Sequence, residues 1–131
     1  METNYNCPFC KGHLNVNDNI VLIVRDQQDN QGLVFLHTEL GNYDSQIISS
    51  LKIDKGDNVD FFCPYCHTNI KHHKAKDNMV HLVRTTEHGK SSQVFFSKIY
   101  GEQSTYHVED DVVHSYGEQA KHYMDPEWYL K

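Results

Sequence analysis

Short apolar runs separated by polar turns dominate the first 116 residues of this chain. Ile20-Val21-Leu22-Ile23-Val24 is the longest plain apolar run, and Val34-Phe35-Leu36, Met79-Val80, Val94-Phe95-Phe96 and Val112-Val113 follow the same style. Such runs, rich in β-branched and aromatic residues and bounded by Asp, Asn, Gly and Ser, predict strands. Strands are expected near 19–26, 32–39, 45–52, 59–63, 78–86, 92–100, 103–108 and 110–115. Asp29-Asn30-Gln31-Gly32 and Glu87-His88-Gly89-Lys90 are expected as hairpin connections, and Asp54-Lys55-Gly56-Asp57-Asn58 as the connector between halves. No long segment shows a 3.6-residue period. A short helical turn fits only near Glu118–Tyr123, and Pro126 limits its extent. The fold class is therefore mostly β with little helix.

The pattern also repeats. Asp18-Asn19-Ile20-Val21-Leu22-Ile23-Val24-Arg25 and Asp77-Asn78-Met79-Val80-His81-Leu82-Val83-Arg84 agree at five of eight positions, an offset of 59. A polar turn follows each, then Val34-Phe35 answers Val94-Phe95 and Gly41 answers Gly101, at an offset of 60. This order predicts one supersecondary unit used twice, about residues 5–58 and 59–116, within a single domain 1–131 that ends in an aromatic tail, 117–131. In this alignment His81 takes the slot of Leu22 and is expected to be a half-buried strand residue.

Each half opens on a Cys-x-x-Cys turn: Cys7-Pro8-Phe9-Cys10 and, 56 residues on, Cys63-Pro64-Tyr65-Cys66. These use all four cysteines. A tight turn of this spacing aims two thiolates at one point, the proline fixes φ inside it, and backbone N–H groups can face the sulfurs. Two such turns supply the four-sulfur tetrahedron that zinc prefers, with Zn–S distances of roughly 2.3 Å. The alternative is two disulfides. Cys10 and Cys63 have 52 residues between them, and closing a loop of that length removes chain entropy worth about 3.5 kcal/mol. Zinc binding itself can contribute on the order of 10 kcal/mol to folding. One structural zinc would then join the halves, with a turn from each.

The paired Cys-Pro-x-Cys turns followed by hairpin sequence resemble a zinc ribbon of the rubredoxin-like class. The chain is also similar to small bacterial four-cysteine zinc-ribbon proteins, a resemblance that implies no activity. Two departures stand out: Lys11 and His67 occupy the position after the second Cys where ribbons often have Gly, and the 52-residue gap exceeds the usual ribbon loop. A closed four-cysteine zinc is structural, because catalytic zinc keeps a position for water. The same sulfurs could hold iron and carry one electron. His67 could rival Cys66 as a ligand, and His72 and His73 could pair with Asp77 around a second ion, although histidines so near a turn are usually solvated or support the ligands from behind.

Composition narrows the role. Twelve basic against 18 acidic side chains give a formal net charge of −6, and four thiolates with one Zn²⁺ would add −2. A polyanion meets an unfavourable field, so nucleic acid is disfavoured as a partner. The exception is the basic stretch 67–76, where Lys71, His72, His73, Lys74 and Lys76 could meet phosphates while Tyr65 stacks on a base. No run approaches the roughly 20 apolar residues of a membrane helix. The polar start, Met1 to Asn6, predicts no secretory signal, and unexported paired Cys turns point to a reducing cytoplasm. No phosphate loop, nucleophile elbow or zinc-protease motif is present. The expectation is a non-catalytic binding or adaptor module. Its candidate partner-binding residues are Lys71, His72, His73, Lys74 and, in the tail, Trp128 and Tyr129, although the favoured reading of the tail is that it folds back and caps the core, because exposed Trp and Tyr in a row are costly for solubility. His107 and His114 are expected to face solvent.

Overall fold

The computed structural model describes residues 3–40, 42, 45–48, 53–54, 56–71, 79–86, 89–100, 105–109 and 112–117. The described residues form ten strands and no helix. In chain order they are β1 Asn4–Asn6, β2 Asn15–Val16, β3 Asn19–Arg25, β4 Gln31–His37, β5 Ser45–Ile48, β6 Asp60–Phe62, β7 Met79–Thr85, β8 Ser91–Ser97, β9 Thr105–Glu109 and β10 Val112–Tyr116. All eight expected strands are found. The two unforeseen ones, β1 and β2, are short and rich in asparagine. The expected helical turn near Glu118–Tyr123 lies outside the described residues, as do the aromatic groups of the tail.

Two antiparallel sheets result. One runs β1-β7-β8-β9-β10. The other runs β2-β3-β4-β5, with β6 also on β3. The strands that carry the cysteines cross over: β1 leaves the first half to pair with β7, and β6 leaves the second half to pair with β3. Each sheet is thus completed by a strand from the other half.

Pairing register recurs along the chain. Asn19↔His37 on β3–β4 has its counterpart in Met79↔Ser97 on β7–β8, so both strands are displaced by 60. Val34↔Ile47 answers Val94↔His107 in the same way. The crossing strands agree as well: Phe61↔Val24 answers Tyr5↔Arg84, displaced by 56 in the cysteine strand and by 60 in its partner. The displacement of 59 suggested by sequence identity between the first strands is therefore one residue out of step. In a strand a one-residue slip exchanges the faces. Burial follows the pairing: Ile20 and Leu22 are buried at the places of Val80 and Leu82. His81 corresponds to Val21 rather than Leu22 and is half-buried, as expected, stacked on Phe95 with ring centroids 4.8 Å apart and hydrogen-bonded to Gln93.

The inner faces meet in one buried cluster that draws on both halves. Leu14, Leu22, Val24 and Val34 come from the first, and Val59, Phe61, Ile70, Val80, Leu82 and Val94 from the second. Burying a side chain of this size stabilises by about 1.5–3 kcal/mol, so the shared cluster couples the sheets. The connector turns as the sequence suggests. Gly56 has φ 93°, the Asp57 N–H donates to the Asp54 carbonyl (3.1 Å), and Gly56 N–H reaches the Tyr100 carbonyl (2.8 Å).

Candidate metal centre

The cysteine strands end at the same place. β1 runs into Cys7 and β6 into Cys63, and the chain turns back in each case. Lys11 N–H donates to the Cys7 carbonyl (3.0 Å) and His67 N–H to the Cys63 carbonyl (2.9 Å). Lys11 (φ 65°) and His67 (φ 60°) take the left-handed conformation for which ribbons favour glycine. The absence of glycine there leaves the turn intact at a conformational cost. Gly12, one place later, is needed for a different reason: a Cβ on it would lie 2.6 Å from Cδ2 of Tyr65, whose ring crosses from the other turn.

The four sulfurs converge. Cys7 Sγ lies 3.8 Å from Cys66 Sγ, Cys10 Sγ lies 3.6 Å from Cys63 Sγ, and all four sit within 4.8 Å of one another. No disulfide joins them. A tetrahedron with roughly 2.3 Å metal–sulfur bonds has edges of about 3.8 Å. The cluster therefore fits a single metal ion, with two sulfurs from each half.

The surroundings suit thiolates. Phe9 N–H and Cys10 N–H face Cys7 Sγ (3.4 and 3.5 Å), Gly12 N–H faces Cys10 Sγ (3.4 Å), and Tyr65 N–H faces Cys63 Sγ (3.3 Å). Thr68, the counterpart of Gly12, brings its hydroxyl to 3.3 Å from Cys66 Sγ. Cys7 and Cys63 are wholly buried, while Cys10 and Cys66 are exposed. Burial pushes the Cys63 thiol up to about 12 and raises Cys7 as well, whereas the Thr68 hydroxyl and backbone hold Cys66 down to about 6. Without a cation the buried pair stays protonated at neutral pH. Metal binding must expel those protons, so affinity falls as pH falls.

Of the candidate partner-binding residues, Lys71 is exposed, bridged to Val80 at the end of the second turn's return strand. His72, His73, Lys74, Trp128 and Tyr129 lie outside the described residues. His67 is exposed, and the sulfur cluster is complete without it. The two aromatic residues inside the turns, Phe9 and Tyr65, are 51% and 63% exposed beside the cluster.

A second polar cluster was not foreseen. Ser92 and His107 are buried, with His107 Nε2 2.7 Å from Ser92 Oγ. His107 thus faces the interior, against expectation, while His114 is exposed as expected. Burial lowers the His107 pKa, and the Arg84 charge lowers it further. Ser92 is 2% exposed, so the pair is closed to any substrate. The two residues are 15 apart on neighbouring strands, and the displacement of 60 from the Val34–Ile47 pair places His107 beside Val94.

The chain matches no protein-family model, no curated protein and no solved structure. No helix among the described residues is long and apolar enough to cross a membrane.

Proposed function

We propose that the chain is a non-catalytic zinc module in which one ion, held by Cys7, Cys10, Cys63 and Cys66, staples together two copies of one β-unit. The observation that carries this reading is the meeting of the four sulfurs at distances of 3.6 and 3.8 Å across the two turns. Four thiolates close the coordination shell and leave no position for water, which favours a structural ion over a hydrolytic one. The matching registers of the two halves support duplication of one unit. With the metal enclosed, the surface left for work is the one around it. The exposed rings of Phe9 and Tyr65 and the nearby Lys71 would present it to a protein partner.

Elemental analysis with an absorption spectrum of the purified protein tests the metal. One zinc per chain in a colourless protein supports the proposal. A red, redox-active protein with one iron would make it an electron carrier, and metal-free protein with two disulfides would remove the module altogether.

A further inference from the structure

The inner faces of the two sheets differ at one set of corresponding positions. In the first half Val24 stands between Phe61 of the crossing strand and Gly32, with Ile47 on the next strand. In the second half the same places hold Arg84, between Tyr5 and Ser92, with His107 on the next strand. An apolar solution exists within the same molecule, yet the second half buries the polar groups of Tyr5, Ser92 and His107 beside a half-buried Arg84. Satisfying such a network is demanding, and one atom is left over: Arg84 Nε is buried with no hydrogen-bond partner.

Arg84 lines a groove of about 1030 Å³ between the start of β1 and the end of β4. This is room for a metabolite. No carboxylate pairs with Arg84 among the described residues. At the related place in the other half Asp60 and Lys98 close an ion pair at 3.2 Å, whereas here Asn4 and Thr38 take their positions and both line the groove. Behind the groove the buried Tyr5 hydroxyl donates to the carbonyl of Thr38, a lining residue (2.7 Å). His37 adds a second donor. Its Nδ1 accepts the Glu39 N–H (2.9 Å), so the proton of the neutral ring sits on Nε2. Asp18 and Glu39, both exposed, line the same groove.

We propose that this groove binds a small oxyanion, a carboxylate or phosphate, through the Arg84 guanidinium with support from His37. A planar guanidinium fork matches either head group with two parallel hydrogen bonds. The carboxylates of Asp18 and Glu39 add acceptors for a ligand whose body carries hydroxyl or amine donors. The site shares no residue with the sulfur cluster and stands or falls independently of the metal.

The chain has only two arginines, Arg25 and Arg84. Arg25 is a built-in control: its Nε donates to Gln31 Oε1 (3.4 Å) and its guanidinium lies over Phe62, 4.4 Å from the ring centroid. The test follows both arginine Nε–H resonances by nitrogen–proton NMR while inorganic phosphate or L-malate is titrated into the metal-loaded full chain. The expected result is a saturable shift of Arg84 alone, half-complete at or below about 1 mM. Saturation by phosphate assigns a phosphorylated ligand, and saturation by malate a carboxylic acid. Arg84→Lys, which keeps the charge but loses the fork, is expected to weaken binding about tenfold or more with the amide spectrum otherwise unchanged. Parallel, unsaturated drift of both resonances, or no movement of Arg84 with either probe, overturns the proposal. The wild-type titration decides this even if the variant does not fold.

Discussion

Arg25 and Arg84 end the two most similar stretches of the sequence, and they end on opposite faces. Arg25 lies on the outer side of its sheet, covering Phe62. Arg84 sits one step earlier in register, in the place of Val24, with its Nε buried. The backbone framework of the two halves is alike down to the turn hydrogen bonds at the cysteines, while one corner of the core differs in kind. The likeness therefore lies in the backbone and the cysteine turns, and side chains at a few corresponding positions carry the individuality.

The strongest way to break the comparison is through the ligands. Cys7 and Cys63 are equivalent and equally buried, so Cys7→Ser and Cys63→Ser should be equally severe. Each loses the ion and a metal contribution on the order of 10 kcal/mol. Thermal melts and metal content would show whether one half survives the loss of its own cysteine, which the shared site does not allow. Next in size, Leu22→Ala and Leu82→Ala empty corresponding, fully buried places. Each should cost about 2–5 kcal/mol in urea unfolding, in a single transition for both, because one cluster spans the halves.

The differing corner gives smaller effects of unequal kind. Tyr5→Phe makes the second half resemble the first at Phe61. It removes the hydrogen bond to Thr38 and should cost about 1 kcal/mol. Last comes pH. His107 is held neutral by burial, with Arg84 assisting, so its folded pKa lies below the unfolded value of about 6.5. Below that pH the unfolded chain takes up a proton that the folded one refuses. The stabilisation is present above pH about 6.5 and is lost as pH falls toward the folded pKa. The position corresponds to Ile47, so His107→Ile should flatten this part of the urea-midpoint profile relative to the wild type. The sulfur site contributes equally to both proteins and cancels in that difference.

The hairpins were legible because β-branched runs such as 20–24 alternate with turn residues, and the sulfur cluster because only two Cys-x-x-Cys turns exist. Register was harder. Counting identities favoured aligning Arg25 with Arg84, whereas the alternation of Ile20 and Leu22 against Val80 and Leu82 carries the true phase. Strands β1 and β2 escaped because three and two mostly polar residues hold no periodic signal; their pairing comes from the turns beside them. The crossing of β1 and β6 between halves, and the place of Tyr5 beside Arg84 in the polar corner, depend on pairings across as many as 81 residues (Asn4↔Thr85), and local pattern does not encode them.

The central claim is that four sulfurs, two from each half, surround one ion. X-ray absorption at the metal edge of the purified full chain tests it most directly. The account predicts four sulfur neighbours at roughly 2.3 Å and no nitrogen or oxygen in the first shell. A shell of two sulfurs completed by lighter atoms would contradict it.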